Sequence, residues 1–398
     1  MFPRKIFRQV YHAQKTLSLD GEKFAGEIFC DIIQRGRSRG VEKYFMAALG
    51  GADGLGNKSI KLLVEHFGDA KTAWSAEAFD LRKSGVRRNS LEAFLAFRAE
   101  HPNAPENIAA YCQRQKINLC SIRDDDYPPL LKEIDSPPMF FYYRGKLHPQ
   151  AQRIAIVGSR ENTAYGQSVA LELGRDLATA GVTVVSGAAR GIDTFAHRGA
   201  LQTGRTVAVL GCGINVIFPR ENRKLLEQIA ENGVVLSEFP PQMPPNQGTF
   251  PTRNRIIAGL SRGIIVVEAG KKSGALITVK YAGIYSRDVF AIPGQVYAEK
   301  SEGCNELIRD GATLIKNAQD VLDEYDLVVE KIPEPELDLP EMTAKVLEVI
   351  PRDDFITDDK IFELIDELEP DELSDILLDL ELKHCIEADD LGRYRRKK

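Results

Sequence analysis

Arg153-Ile154-Ala155-Ile156-Val157-Gly158-Ser159-Arg160 is an apolar run of strand length that breaks abruptly into Gly-Ser-Arg, ahead of a segment with helical pattern. It reads as a strand delivering a cationic, glycine-loosened loop. In an open α/β sheet, ligands sit beyond the carboxyl ends of the strands, so Arg160 falls where such a fold places its binding site. The arrangement recurs downstream. Val182-Thr183-Val184-Val185 runs into Ser186-Gly187, Val207-Ala208-Val209-Leu210 into Gly211-Cys212-Gly213, and Ile264-Ile265-Val266-Val267 into Glu268-Ala269-Gly270. Four small-residue loops are therefore expected on one edge. Strand and helix alternate as far as Tyr325, and the strands are apolar on both faces. That pattern predicts an α/β domain with a mostly parallel sheet covered by helices. Asn118 to Ile122 and Met139 to Tyr143 are further strands, the second expected to extend the same sheet.

A chain of 398 residues exceeds one ordinary domain. No apolar run is long enough to span a bilayer, and Met1-Phe2-Pro3-Arg4-Lys5 lacks a secretory pattern, so a cytoplasmic location is expected. The six cysteines include no C-x-x-C pair and read as free thiols, without a metal site. Charge is uneven: between Asp320 and Gly392 stand 26 acidic and 5 basic side chains, a local charge near −21. A total of −6 then leaves the remainder near +15. A basic body suits a polyanionic partner, although net charge alone argues only non-specific attraction.

The flanks read differently. Residues 1–40 are basic and weakly patterned, as in a flexible leader. Residues 41–103 carry helical stripes, with Gly54-Leu55-Gly56-Asn57-Lys58-Ser59 turning one helix into the next. That turn resembles a helix-hairpin-helix (SAM-like) module, whose helix-start amides touch phosphate; a plain helical adaptor is the alternative. Residues 105–325 form the expected sheet domain. Lys331 to Glu336 reads as a linker. In 335–398, three short helices and a terminal hairpin suggest a winged helix. Its helix Glu372 to Leu382 is acidic, which argues against direct duplex reading, while the tip from Arg393 to Lys398 is cationic.

Several motifs gather on the expected binding edge. Phe250-Pro251-Thr252-Arg253-Asn254-Arg255 places two arginines in the first turn of a helix, against the dipole, where an anion is the usual reason. Their alternative is an internal salt-bridge cluster with Glu238 or Glu268. Lys271-Lys272-Ser273-Gly274 precedes a helix, where two lysines would flank free amides in a phosphate cradle. Ser273 as an N-cap suits the same geometry. Arg190 lies in Ser186-Gly187-Ala188-Ala189-Arg190-Gly191-Ile192-Asp193, with Asp193 read as an N-cap. The loop Pro240 to Gly248 lacks a cation and would meet a base or sugar. Enzyme signatures fail: neither G-x-G-x-x-G after Val157 nor a P-loop occurs, and Gly36-Arg37-Ser38-Arg39-Gly40 follows no strand. His197 reads as a helix-face histidine bonded to a backbone carbonyl rather than as a base or ligand.

Taken together, Val157-Gly158-Ser159-Arg160, Ser186 to Asp193 with Ala196-His197, Phe250 to Arg255, Ser273 to Thr278 and Gly303-Cys304-Asn305-Glu306-Leu307-Ile308 resemble the DNA-processing protein A (DprA/Smf) family, from about Glu42 to Lys398. The resemblance implies an extended Rossmann-like fold without enzymatic activity or cofactor. It also implies a protein that binds single-stranded DNA and loads the RecA recombinase in natural transformation or recombination. It places backbone contacts on Arg160 and Arg190 and a homodimer interface near Leu307, Ile308 and Leu314. With the reading above, the expected DNA site comprises Gly158, Ser159, Arg160, Arg190, Phe250, Arg253, Asn254, Arg255, Lys271, Lys272, Ser273 and Gly274. Phe250 would be a stacking surface for a base. Phe218-Pro219 stands where Tyr-Pro is common, and Ala188 where Leu is common. The competing reading is a nucleotide phosphoribohydrolase of the lysine-decarboxylase-like class. The P-G-G-x-G-T-x-x-E stretch of that class is replaced here by Ser273 to Thr278, without the glutamate.

Overall fold

The computed structural model describes residues 38–327, 340–351, 354–365, 368, 370–382, 385–389 and 392–396. Residues 1–37 of the expected leader, the linker from Lys331 to Glu336, and Lys397 and Lys398 lie outside the described residues. The chain forms two compact units, one ending at Glu330 and one beginning at Lys331.

The first unit is built on nine strands: β1 (Asn118–Ser121), β2 (Phe140–Gly145), β3 (Arg153–Val157), β4 (Thr183–Ser186), β5 (Thr206–Val209), β6 (Val234–Ser237), β7 (Gly263–Val266), β8 (Asp288–Ala291) and β9 (Thr313–Leu314). They lie in the order β1-β2-β6-β5-β4-β3-β7-β8-β9. From β6 to β9 every pairing is parallel, while β2 joins β6 and β1 joins β2 antiparallel. The chain winds outward from β3 through β4 and β5 to β6, then returns to β7 on the other side. Order therefore reverses between β3 and β7, and that reversal opens a crevice at their carboxyl ends.

The doubly apolar strands explain why both faces are covered. Successive side chains of a strand point to opposite faces. Ile154 and Ile156 accordingly enter one buried cluster, while Ala155 and Val157 enter the other. Each isoleucine so buried contributes roughly 1.5–3 kcal/mol. The helices Ala164–Thr179 and Ile192–Thr203 cover the first face, and Thr249–Leu260 and Ala275–Ile284 the second.

Ahead of the sheet stand helices Ser38–Leu49, Asn57–Phe67, Ala70–Ser75, Ala78–Leu81, Arg88–Glu100 and Ala104–Arg114. Ser38 to Gly40 open the first of them, while Gly36 and Arg37 of the Gly36–Gly40 pattern lie outside the described residues. Their core, with Leu49, Leu63 and Phe94, is continuous with that of the sheet through Tyr142 and Leu225. At the Gly-Leu-Gly turn, the Asn57 side chain donates to Glu238 (2.6 Å) and accepts from the Met139 amide (3.1 Å). The start of that helix is thus fastened to the sheet. No helix of the described residues is long and apolar enough to cross a membrane.

The second unit contains helices Glu341–Val349, Asp358–Glu363 and Pro370–Leu382 and an antiparallel hairpin of β10 (Ile386–Ala388) and β11 (Tyr394–Arg396). Val346, Ile361, Leu380 and Ile386 fill its core. Two cations of the hairpin are answered locally: Arg393 pairs with Asp389 and Arg395 with Glu387.

Candidate nucleic-acid interface

Four loops leave the carboxyl ends of β3, β4, β5 and β7, and hydrogen bonds tie them into one edge. The Ile192 amide donates to the Ser159 carbonyl (3.1 Å), joining the loop of Arg160 to that of Arg190. The Ser159 amide donates to the Glu268 carbonyl (2.7 Å), closing the crevice between β3 and β7. Asn254 Nδ2 donates to the Gly274 carbonyl (3.3 Å), linking the Phe250 helix to the Ser273-Gly274 loop. Gly158, Ser159, Arg160, Arg190, Phe250, Asn254, Ser273 and Gly274 are thereby brought together on this edge.

Glu268 takes the place where many doubly wound folds hold a ligand phosphate. Its carboxylate accepts from the Thr163 amide (2.9 Å) and hydroxyl (2.5 Å), at the start of helix Ala164–Thr179. Those donors are answered by the chain itself.

Arg160 is the prominent free charge. It is exposed, lies 5.3 Å from the Phe250 ring centre, and has no ion-pair partner among the described residues. Phe250, half-buried, sits 5.6 Å from Phe218, which is 42% exposed. A cation above the Phe250 ring, with Phe218 beside it, offers both partners that a nucleotide needs, a charge for phosphate and a face for a base. Gly211 makes room for this arrangement, because a Cβ there would lie 2.5 Å from the Phe250 ring.

Other cations of the edge are engaged. Arg190 is exposed and paired with Glu221. That pairing raises the guanidinium pKa and lowers that of the carboxylate. Lys271 lies 2.5 Å from Glu302, while Lys272 is exposed. Ser273 Oγ accepts from the Ala275 amide (3.3 Å), although Gly274 occupies the cap position of the helix.

Arg253 and Arg255 depart from expectation. Both are buried, at 4% and 7% exposure. Arg253 donates to the carbonyls of Gly187 (2.8 Å) and Val209, and burial pushes its pKa down to about 10. Gly187 permits this approach, since a Cβ there would stand 2.6 Å from the guanidinium. Arg255 donates to the Ser136 carbonyl (2.7 Å) and pairs with Glu238. The helix begins at Thr249, so Arg253 and Arg255 stand in its second turn rather than its first, where the dipole argument for an outside anion lapses; the loops' carbonyls and Glu238 meet them instead. The two arginines fasten the loops from below.

Asp193 is likewise not an N-cap. Gly191 holds that position, and the Asp193 carboxylate accepts from the Gly187 (3.1 Å) and Ala189 (3.3 Å) amides. Burial raises its pKa, opposed by nearby Arg253. Ala188, with φ of 52°, holds the sharp bend of this loop. His197 is fully buried; its Nδ1 meets the Thr206 hydroxyl (2.7 Å) rather than a carbonyl, and its Nε2 has no partner among the described residues. In the loop Pro240 to Gly248, Met243 turns inward, leaving Asn246 and Gln247 exposed.

Leu307 and Ile308 are half-buried against the core, while Leu314 is 47% exposed on edge strand β9. Sequence alone assigns no role to Phe218 or to the carboxylates Glu221 and Glu302. Glu221 lies 31 positions from Arg190, too far apart for local spacing to pair them. The described residues include no cluster able to hold a metal ion, and the described cysteines are free.

The fold and this edge define a class: a doubly wound α/β protein with cationic and aromatic side chains gathered at the carboxyl ends of its strands. Comparison with known proteins resolves the class further. Residues 118–326 match the family model for DNA recombination-mediator protein A, and the chain belongs to that family. Protein Smf of Synechocystis is 40% identical over 71% of this chain and 72% of its own length. The X-ray structure of DNA processing protein A from Streptococcus pneumoniae shares 37% identity. It covers 71% of this chain and 97% of that one, with a TM-score of 0.64. DNA processing protein A from Helicobacter pylori, whose solved structure concerns its single-stranded DNA binding mode, aligns at 31% identity over 52% of this chain and 95% of that one, with a TM-score of 0.48.

Proposed function

We propose that this recombination-mediator protein binds single-stranded DNA along the carboxyl edge of its sheet, with Arg160 as the first phosphate contact. The exposed Arg160 guanidinium over Phe250, without an ion-pair partner among the described residues, carries the reading. The backbone would run past Gly158, Ser159 and Arg160 toward Arg190 and Lys271, which exchange Glu221 and Glu302 for phosphate. Lys272, Asn254 and the amides near Ser273 and Gly274 would hold the next phosphate. Phe250 and Phe218 would stack a base, which is possible for an unpaired strand and not inside a duplex. Charge and stacking are read, so base identity matters little.

The reading extends to the whole chain. Residues 41–103 would act as a helix-hairpin-helix-like (SAM-like) domain, 105–325 as the extended Rossmann-like DNA-binding domain, and 335–398 as a winged-helix-like domain. A homodimer would form around Leu307, Ile308 and Leu314; Leu314, exposed on an edge strand, supports that placement. The bound strand would be protected and handed to RecA in the cytoplasm, without catalysis.

The test is fluorescence anisotropy of labelled oligo-dT beside a matched duplex across a salt series. Preference for the single strand is expected. Four phosphate contacts at a slope of about −0.7 each weaken binding roughly 50-fold between 50 and 200 mM salt. Equal, weak binding of both DNAs would sink this reading.

A further inference from the structure

At the opposite, amino-terminal edge of the sheet, a narrow cavity of about 20 Å³ opens beneath β4, β5 and β6. It has room for little more than a water molecule, so neither a base nor a ribose fits inside. Its walls include Val207, Leu236 and Leu260, whereas Lys146, His148 and Arg205 stand around it. Lys146 and Arg205 are exposed and His148 half-buried. Arg205 Nη1 donates to His148 Nε2 across 3.5 Å, so the neutral imidazole accepts from the guanidinium and the two basic side chains share the rim.

Behind them lies Arg153, 4% exposed, whose guanidinium donates to the carbonyls of His148, Pro149 (3.1 Å) and Ala151 (3.1 Å). Among the described residues, Lys146, Arg153 and Arg205 have no carboxylate partner. Arg190 and Lys271, at the opposite edge, do have one. Four basic groups around one cavity without an acid leave a positive field that an anion would neutralise.

We propose that this rim is a second anion site, which takes a phosphate group at the cavity mouth between Lys146, His148 and Arg205. Arg205 supplies a planar fork for two phosphate oxygens, and Lys146 a compact charge. A five-residue strand spans about 17 Å, so a phosphate here is distinct from the one held by Arg160. Burial first, then Arg205, Lys146 and Arg153, hold the imidazole below its ordinary range. These facing groups are all cations. A phosphate reverses their effect, so the anion binds more tightly as pH falls and His148 gains its proton.

The phosphate could belong to a nucleic-acid backbone or to a small phosphate anion, and one experiment separates the two. The full chain, with ring-labelled histidine assigned through His148→Gln, is titrated by NMR against pH in chloride and in inorganic phosphate at matched ionic strength. The expected result is a His148 midpoint that rises in phosphate. In Arg205→Ala, the phosphate concentration needed increases roughly tenfold, and Arg205→Lys recovers part of the response. A saturating oligo-dT that raises the midpoint in the wild type and in Arg160→Ala alike assigns the site to a nucleic-acid backbone. A rise with phosphate alone assigns it to small anions. A midpoint that ignores both overturns the proposal, as does a response to oligo-dT alone that vanishes in Arg160→Ala. The phosphate arm requires no DNA binding, so it stands or falls independently of the Arg160 edge.

Discussion

The loop after β3 and the first turns of helix Thr249–Leu260 bring arginines to the same edge of the sheet, yet use them in opposite ways. Arg160 stays in solvent above Phe250 with no ion-pair partner among the described residues. Arg253 and Arg255 turn inward, one to the carbonyls of Gly187 and Val209, the other to Glu238. The difference is set by what lies within reach. A loop leaving a strand end with glycine and serine has no carbonyl ladder above it, whereas a helix crossing under two strand ends meets their last carbonyls. Free charge stays available to a ligand, and buried charge holds the loops that present it.

The largest effect is expected below the surface. Arg253→Met leaves two loop carbonyls and Asp193 without their cation, and should cost about 3–5 kcal/mol of stability. Urea unfolding measures this directly. A midpoint equal to that of the wild type would mean the loops hold without the guanidinium, and the contrast would fail. DNA binding by the folded fraction is the sharper observation: it should fall only as far as the loops loosen.

His197 probes the same buried layer through pH. Burial, then nearby Arg253, pushes its pKa down to about 3, against 6.5 when exposed. Below pH 6.5 the unfolded chain therefore takes up a proton that the folded chain refuses. This contribution to stability is complete above pH 6.5 and is lost as pH falls toward 3, by about 2 kcal/mol between pH 6.5 and 5. His197→Asn should flatten that part of the urea-midpoint profile. An unchanged slope would place the titrating group elsewhere.

At the surface the balance reverses. Arg160→Ala should leave the urea midpoint unmoved while weakening oligo-dT binding roughly tenfold, the effect of removing one charge-assisted hydrogen bond to phosphate. The salt slope should fall by about 0.7, the share of one single-strand phosphate. Weakened binding with an unchanged salt slope would mean that Arg160 acts through Phe250 alone.

How much of this is legible in the sequence follows from the same contrast. The sheet is readable because strands apolar on both faces, such as Ile154 to Val157, leave little choice but a covered parallel sheet. The edge is readable because each of those strands ends in small residues. Arg160 can be placed from its position right after a strand end. Arg253 and Arg255 cannot, since sequence shows a charge but not the carbonyls that will meet it. Glu238, one of the two carboxylates expected in an internal cluster with those arginines, is the partner of Arg255. Glu221 and Glu302 stay hidden because tertiary pairing across 31 positions leaves no local pattern. The Phe218 ring is visible only as a departure from the family pattern, and its place beside Phe250 needs the fold.

The smallest predicted effect tests the intermediate case, a cation neither free nor buried. Arg190 is exposed but held by Glu221, which already occupies the position a phosphate would take. For DNA to use Arg190, the carboxylate must be displaced, and an exposed pair is weak enough to be exchanged. Glu221→Gln keeps the size and removes the competing charge, so oligo-dT affinity should rise, by less than about threefold. The gain should shrink at high salt, where exposed charges are screened. It should also vanish in Glu221→Gln combined with Arg190→Ala. A gain that persists without Arg190 would trace instead to the general removal of a negative charge, and Arg190 would then not touch the bound strand.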